Sequence, residues 1–375
     1  MRIRQVDVYP LKIPYRSSFS IARGQVGGGG VQRTVVIVRV MDEDGRVGWG
    51  EGSPSHLWSS ETIESVVACL RQYYIPAVIG HPVHDIAGAH RIMERSIGPA
   101  FSSGNPIARC ALDTALHDLA GKSLGVPVWK MWGYDGEGYE AVLSWTVSAR
   151  DLKQAERIIE EGIAQGYAHM NIKLGVGERI DLSLCELVKR RLPEGFLWGD
   201  ANGGYSFAQA LRIVRSLEAA GLDLLEQPLP SNQLRYWREL KNRLSIPLAV
   251  DEPIITPRDL SEWIMQDLIT AFAIKPTRSG GLFPSRICAE MAEASAIMSV
   301  CSGLTETGVG MAANLHLAAA MGIRTPCAWN GPQFLGDDVL KTPLRVEDGK
   351  VALLPGPGLG IEVDEDKLKF YECSG

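Results

Sequence analysis

This 375-residue chain has no CxxC pair, no basic stretch long enough to track phosphates and no apolar stretch of the length a membrane span requires, ~18–20 residues. Its seven cysteines stand singly at 69, 110, 185, 288, 301, 327 and 373. That argues against a disulfide scaffold or a zinc site built on paired thiols. They read instead as small buried hydrophobes in a reduced, cytoplasmic protein. A net charge of −6 argues against a nucleic-acid partner, and without a span no membrane partner is expected. Met1-Arg2-Ile3-Arg4-Gln5 runs directly into an alternating strand pattern, so no secretory leader is expected. The glycine-rich segment Arg23-Gly24-Gln25-Val26-Gly27-Gly28-Gly29-Gly30 lacks GKS/T and no helix follows it, so it is not a phosphate loop. It is either a mobile flap or a plain loop with no role.

What is present is ordinary in bulk and unusual in pattern. Hydrophobic residues make up 45% of the chain and charged residues 22%, as in soluble globular proteins. The length suits a barrel plus a smaller domain. Val6–Tyr9, Thr34–Val40 and Val47–Glu51 read as antiparallel strands, with Asp42-Glu43-Asp44-Gly45 turning between the last two. Helical patterns follow at about 61–75, 84–95 and 106–123. Strands followed by helices predict a small α+β domain.

From about residue 140, near-continuous apolar strands alternate with amphipathic helices, which predicts a parallel sheet. The first strand is expected over Val142–Val147, with Ser148 capping a helix whose inner face carries Ile158, Ile159 and Ile163. Ser206 opens another, with Ala208, Leu211, Val214 and Leu217 inward and Gly221 ending it. Eight candidate strands can be counted, the last two near Ile297–Cys301 and Thr325–Trp329. The tail from about 345 is expected to return to the N-terminal domain.

Five polar residues close successive apolar runs: Lys173, Asp200, Glu226, Asp251 and Lys275. They are 27, 26, 25 and 24 residues apart, about the length of one strand, one helix and two loops. One rung of five consecutive βα units therefore projects charge at the C-terminal rim of a barrel, where catalytic groups gather. Three carboxylates with no histidine nearby suit a hard divalent ion, Mg²⁺, with open positions for water and substrate. A lysine on either side suggests removal of a proton α to a metal-held carboxylate, with the ion taking up charge as an enediolate forms. Strand alternation turns Asn171 the same way as Lys173, and Asn202 the same way as Asp200. Each either orients a neighbouring charged group or satisfies loop backbone. Glu252 cannot share a face with Asp251 and reads as a supporting partner. His169 has the inward parity of Lys173 but lies deeper, as a packed core histidine.

These residues resemble the mandelate racemase/muconate lactonizing enzyme family of the enolase superfamily, in its muconate lactonizing subgroup. The resemblance runs from Ala111-Leu112-Asp113-Thr114-Ala115-Leu116-His117-Asp118-Leu119-Ala120-Gly121-Lys122 through Asn171-Ile172-Lys173-Leu174-Gly175, Asp200-Ala201-Asn202, Glu226-Gln227-Pro228 and Asp251-Glu252-Pro253. It continues through Ile274-Lys275-Pro276 with Ser279-Gly280-Gly281, and Thr305-Glu306-Thr307-Gly308-Val309-Gly310 with Asn314-Leu315-His316-Leu317. It implies an α/β fold: an N-terminal α+β capping domain (1–130, completed by 345–375) over a modified TIM barrel, (β/α)7β (131–344). It also implies Mg²⁺ at Asp200, Glu226 and Asp251, with Mn²⁺ as a substitute, acid/base roles for Lys173 and Lys275, and a homo-oligomer. Glu306 joins the residues expected to contact or support substrate.

Members of the family catalyse several reactions, and departures from their motifs narrow the choice. Many relatives carry K-x-K where this chain has Asn171-Ile172-Lys173. On the eighth strand, Ala328 replaces the glutamate of muconate cycloisomerases, and the D-x-D of dipeptide epimerases is not visible. Trp329 and Trp58 either hold a quaternary ammonium between their faces or pack at the domain interface. The leading expectation is a racemase or epimerase acting on a small amino-acid-derived or N-substituted carboxylate. The alternatives are a cycloisomerase, a dehydratase, or a non-catalytic binding or structural relic.

Overall fold

Gly48, Gly50 and Gly52 alternate along the strand Val47–Gly52 and decide how the N-terminal layer packs. A Cβ at Gly48 would lie 2.3 Å from Ala115 O, and one at Gly50 2.1 Å from Ala111 O. Only glycine lets this strand lie directly on helix Pro106–Leu124. The alternate residues Trp49 and Glu51 then face away from that helix. The computed structural model describes residues 1–17, 19–21, 24–26, 30–99 and 102–374. In it, Ile3–Pro14, Gln32–Asp42 and Val47–Gly52 form an antiparallel sheet in that order. Helix Pro106–Leu124 is buried from Ile107 to Gly121. Buried on every side, with Asp113 and Asp118 among its covered residues, it packs between this sheet and the barrel helices. Of the glycine-rich segment, Gly24–Val26 pairs with Phe19–Ile21; Arg23, Gly27, Gly28 and Gly29 lie outside the described residues.

The fold is mixed α/β. Seven parallel strands stand side by side in chain order: Trp145–Val147, Met170–Lys173, Leu197–Asp200, Leu224–Glu226, Leu248–Val250, Ala271–Ile274 and Met298–Cys301. The eighth position is reduced to bridges, Leu143 with Cys327 and Ser302 with Ala328, which join the first strand region to the seventh. Inside, the Trp198 indole packs against Leu224, Ala249, Ala271, Ala273, Val300 and Ala328. One large ring among small neighbours fills the interior, so the barrel is a packed core with its mouth left for chemistry.

Three expectations shift. The strand expected over Val142–Val147 divides, because Glu140–Val142 pairs antiparallel with Lys350–Ala352 of the tail. The following helix is capped by Asp151 instead of Ser148, with Asp151 Oδ1 accepting the Gln154 N–H at 2.8 Å. Ser206 does cap its helix, but the buried stripe is Ala210, Ile213, Val214 and Leu217, while Ala208 is exposed in the first turn. Beyond Lys350–Ala352 the tail makes contacts with the N-terminal layer. Leu359 N–H donates to Asp118, and Cys373 N–H donates to Pro10 O. All seven cysteines are free thiols and all but Cys373 are buried. Among the described residues no helix is long and apolar enough to cross a membrane.

Candidate active site

Lys173 stands level with Asp200, and Asp200 with Glu226, across adjacent parallel strands. The level then climbs. Glu226 pairs with Ala249, two residues before Asp251, and Ala249 pairs with Ala271, four residues before Lys275. The expected single rung is therefore flat over three strands and steps forward by two at each of the next two. Closing a barrel requires tilted, staggered strands, and steps of two keep every side chain facing inward.

The structure brings all five expected groups together. Lys173 Nζ donates to Asp200 Oδ2 at 2.6 Å. Lys275 Nζ donates to Asp251 Oδ2 and lies 3.7 Å from Glu226 Oε1. Asn202 supports Asp200 twice, its backbone N–H on Oδ1 and its Nδ2 on Oδ2, both at 2.9 Å. Glu252 lies beside them, its Oε1 3.4 Å from Asn202 Nδ2. Trp198 Nε1 donates to Glu226 Oε2 at 2.7 Å, reaching up from the packed interior. Asn202 and Gln227 hold positive φ, 45° and 40°. Such conformations persist in non-glycine residues where the surroundings over-determine them. Gln227 is held this way, its Oε1 accepting the Asp251 N–H at 2.9 Å and its Nε2 donating to Leu229 O at 2.7 Å.

Crowding of acids away from water sets the electrostatics. Burial, reinforced by Asp200, pushes Glu226 up to about 7, against the pull of Lys275 and Lys173. Burial and Asp200 likewise raise Glu252 to about 7. Among the described residues no three His, Cys, Asp or Glu side chains are disposed as a ready metal cage. Ammonium and guanidinium groups pair with Asp200 and Asp251, while Glu226 takes the Trp198 N–H and Glu252 the Asn202 amide. The donors nevertheless fit a hard cation. Glu226 Oε1, Glu252 Oε2 and Asn202 Oδ1 are buried oxygens with no hydrogen-bond donor, in a cluster that offers oxygen and no sulfur or imidazole.

A cavity opens over this cluster. Tyr15, Phe19 and Trp58 from the N-terminal layer face Asn171, Lys173 and Lys275 across it. Trp329 does not join Trp58 as a second wall. Ala328 and Asn330 line the cavity, and alternation turns Trp329 into the surrounding core, where its Nε1 has no partner. Glu306 also lies off this cavity. It is buried behind the Gly303–Thr305 loop, its Oε1 accepting the Leu304 N–H at 2.8 Å, and burial pushes it up to about 7. His169 sits half-buried at the start of its strand, Nδ1 accepting the Phe196 N–H at 3.0 Å.

Sequence reasoning missed Arg278, Tyr15, Phe19 and Asn330. Arg278 pairs with the second oxygen of Asp251 and donates to Ala273 O at 2.6 Å. It lies one helical turn past Lys275, in Pro276–Ser279, a placement readable only once that turn is known. Asn330 was available from the two-residue parity with Ala328. Tyr15 and Phe19 carried no signal, because their position depends on how the N-terminal layer docks.

Two family models match the chain: Mandelate racemase / muconate lactonizing enzyme, N-terminal domain, over residues 4–133, and Enolase C-terminal domain-like over residues 152–367. The chain is 33% identical over 349 residues to muconate cycloisomerase 1 of Rhodococcus opacus, covering 90% of each protein. It is 29% identical over 375 residues to N-succinylamino acid racemase of Thermus thermophilus, covering 99% of this chain and 97% of that one. The crystal structure of N-succinyl Arg/Lys racemase from Bacillus cereus superposes with a TM-score of 0.91 at 27% identity, covering 100% of this chain and 99% of that chain.

Proposed function

The chain belongs to the mandelate racemase/muconate lactonizing enzyme family of the enolase superfamily, and from that premise we propose that it racemises or epimerises a small amino-acid-derived or N-substituted carboxylate. One observation carries the reading: two lysines from different strands line one cavity, each paired with a different acid, Lys173 with Asp200 and Lys275 with Asp251. Two bases approaching from different strands suit removal of an α-proton on one face and its return on the other.

Asp200, Glu226 and Asp251 would hold the divalent ion, Mg²⁺ or Mn²⁺. When bound, that ion supplies positive charge against the negative charge that develops on the substrate carboxylate. Lys173 or Lys275 takes the α-proton at Nζ, and the opposite ammonium delivers one. Asn202 fixes the orientation of Asp200, and Trp198 that of Glu226. Arg278 offsets the charge of Asp251. Among the described residues no carboxylate lines the cavity to pair with a free ammonium, which supports a substrate whose nitrogen is substituted. Seven free thiols accord with a reducing, cytoplasmic setting. The proposal includes a homo-oligomer and the division into 1–130 with 345–375 and 131–344.

Incubation with N-acyl amino acids, betaines and related acids in D₂O tests the reading. Exchange at Cα with loss of optical purity and no new compound is the expected result. A second reading, cycloisomerisation, has the support of the Rhodococcus relative, and conversion of muconate to a lactone without racemisation of any amino acid derivative would establish it instead. Calorimetric titration with Mg²⁺ separates both from a non-catalytic relic, which would give no heat of binding.

A further inference from the structure

Arg33 is buried on the second strand of the N-terminal sheet, yet among the described residues no carboxylate forms an ion pair with it. Its guanidinium is given over to backbone carbonyls of two loops. On one side Nη1 donates to Pro54 O at 2.6 Å and Nη2 to Ser53 O at 3.0 Å, at the start of the loop that carries Trp58. On the other Nε donates to Thr305 O at 3.1 Å and Nη2 to Leu304 O at 2.6 Å, in the loop after the seventh barrel strand. A planar fork with donors at fixed angles can join four carbonyls at once; the single ammonium of a lysine cannot.

A second observation falls on the same loop. Thr305 is β-branched and holds φ 60°, a conformation uncommon for such a residue and a mark of strain. It is held from several sides. Arg33 grips its carbonyl, and its hydroxyl donates to Asn330 Oδ1 at 2.9 Å. Glu306 Oε1 fixes the preceding Leu304 N–H. Arg33, Trp58, Leu304, Thr305 and Asn330 all line the cavity that contains the two lysines. None of these contacts involves Asp200, Glu226 or Asp251.

We propose that Arg33 is a positioning residue: it sets the spacing between the Ser53–Trp58 loop and the Gly303–Thr305 loop, and so determines which substituent on the substrate's α-carbon the outer end of the cavity accepts. The kinetic consequence rests on the proton transfer proposed above, whereas the structural consequence does not.

The test compares Arg33→Lys and Arg33→Met with wild type in the full chain. Both variants are expected to fold by circular dichroism and to bind Mg²⁺ in calorimetry like wild type, because the acids are untouched. Both are expected to expose Trp58, read as increased acrylamide quenching that vanishes in a Trp58→Phe background. With any acid that wild type exchanges in D₂O, KM is expected to rise about tenfold, the scale of one lost charge-assisted hydrogen bond, while kcat changes less. Discrimination among acids that differ at the α-substituent is expected to fall. Rescue of both KM and quenching by lysine would overturn the proposal, since charge alone would then suffice. So would a lowered Tm with KM, selectivity and quenching all at wild-type values. Where Arg33→Met fails to fold, Asn330→Ala releases the Thr305 hydroxyl and is expected to raise KM in the same direction; an unchanged KM overturns the idea. If wild type exchanges no acid, the proposed reaction fails and the quenching comparison alone decides the role of Arg33.

Discussion

Most of the buried carboxylates fall in two regions of this molecule, the barrel mouth and the seam beneath the N-terminal layer, and they are satisfied in different ways. In the seam, Glu51 accepts the N–H groups of Thr307 and Gly310 and the hydroxyls of Ser53 and Thr307. Asp113 accepts from the N–H groups of Leu282 and Phe283, Asp118 from those of Trp49 and Leu359, and Glu61 from those of Ile107 and Ala108. Several of these donors are the open N–H groups at the starts of helices, which have no partner within the helix and favour negative charge. Their positions are set by the backbone. In the mouth, Asp200 and Asp251 are held by lysine and arginine side chains, and Glu226 and Glu252 each keep an oxygen with no donor. The division is one of balance. Lys122 also donates to Asp118 and His90 pairs with Asp113 in the seam, and the Asn202 N–H donates to Asp200 in the mouth, but backbone donors lead in the seam and side chains in the mouth.

The largest effect is expected in the mouth. Lys173→Met and Lys275→Met should each lower α-proton exchange by about 10²–10⁴-fold, measured by NMR in D₂O on each enantiomer separately. Each variant should retain some exchange with one enantiomer only. Equal losses on both faces would break the assignment of one lysine to each face. Chelation with EDTA should abolish exchange, and Mg²⁺ or Mn²⁺ should restore it.

The seam should respond the other way. Glu51→Ala leaves two backbone N–H groups and two hydroxyls without their acceptor, and is expected to cost about 3 kcal/mol or more by urea unfolding. Residual folded enzyme should keep its exchange chemistry. A loss of exchange with no loss of stability would erase the distinction between the two regions.

Glu306 sharpens the comparison, because it lies in the seam with only part of a backbone donor set. Burial first, with Glu51 adding, raises it to about 7 from an ordinary value of 4.5. Between those values the folded protein keeps a proton that the unfolded chain has lost. Its contribution to stability therefore falls as pH rises from about 4.5 to about 7, by roughly 1–3 kcal/mol. Glu306→Gln should flatten the Tm profile across that window. The smallest effect is expected at the cavity wall, where Trp58→Phe keeps an aromatic face and should raise KM by about twofold to fivefold.

Much of this was legible from the chain. The even spacing of Lys173, Asp200, Glu226, Asp251 and Lys275 predicts successive strand ends, because each βα unit consumes a similar length. Parity along a strand turns Asn171 the same way as Lys173, and both line the cavity. The same parity, applied to Ala328-Trp329-Asn330, would have turned Trp329 out of the cavity. Ser148 was mistaken for a cap because Asp151 competes for that role three residues later, and local pattern cannot rank two capping residues.

The order of charges along the chain was enough to predict three acids flanked by two lysines on successive strand ends, since the βα repeat and strand alternation are local and periodic. The two-residue climbs at Asp251 and Lys275, the approach of Arg278 and the grip of Arg33 on both loops were decided in three dimensions. They depend on strand stagger, on a turn after a strand, and on how one layer settles on another. None of these leaves a period in the sequence, because contacts between distant segments are set by closure and packing.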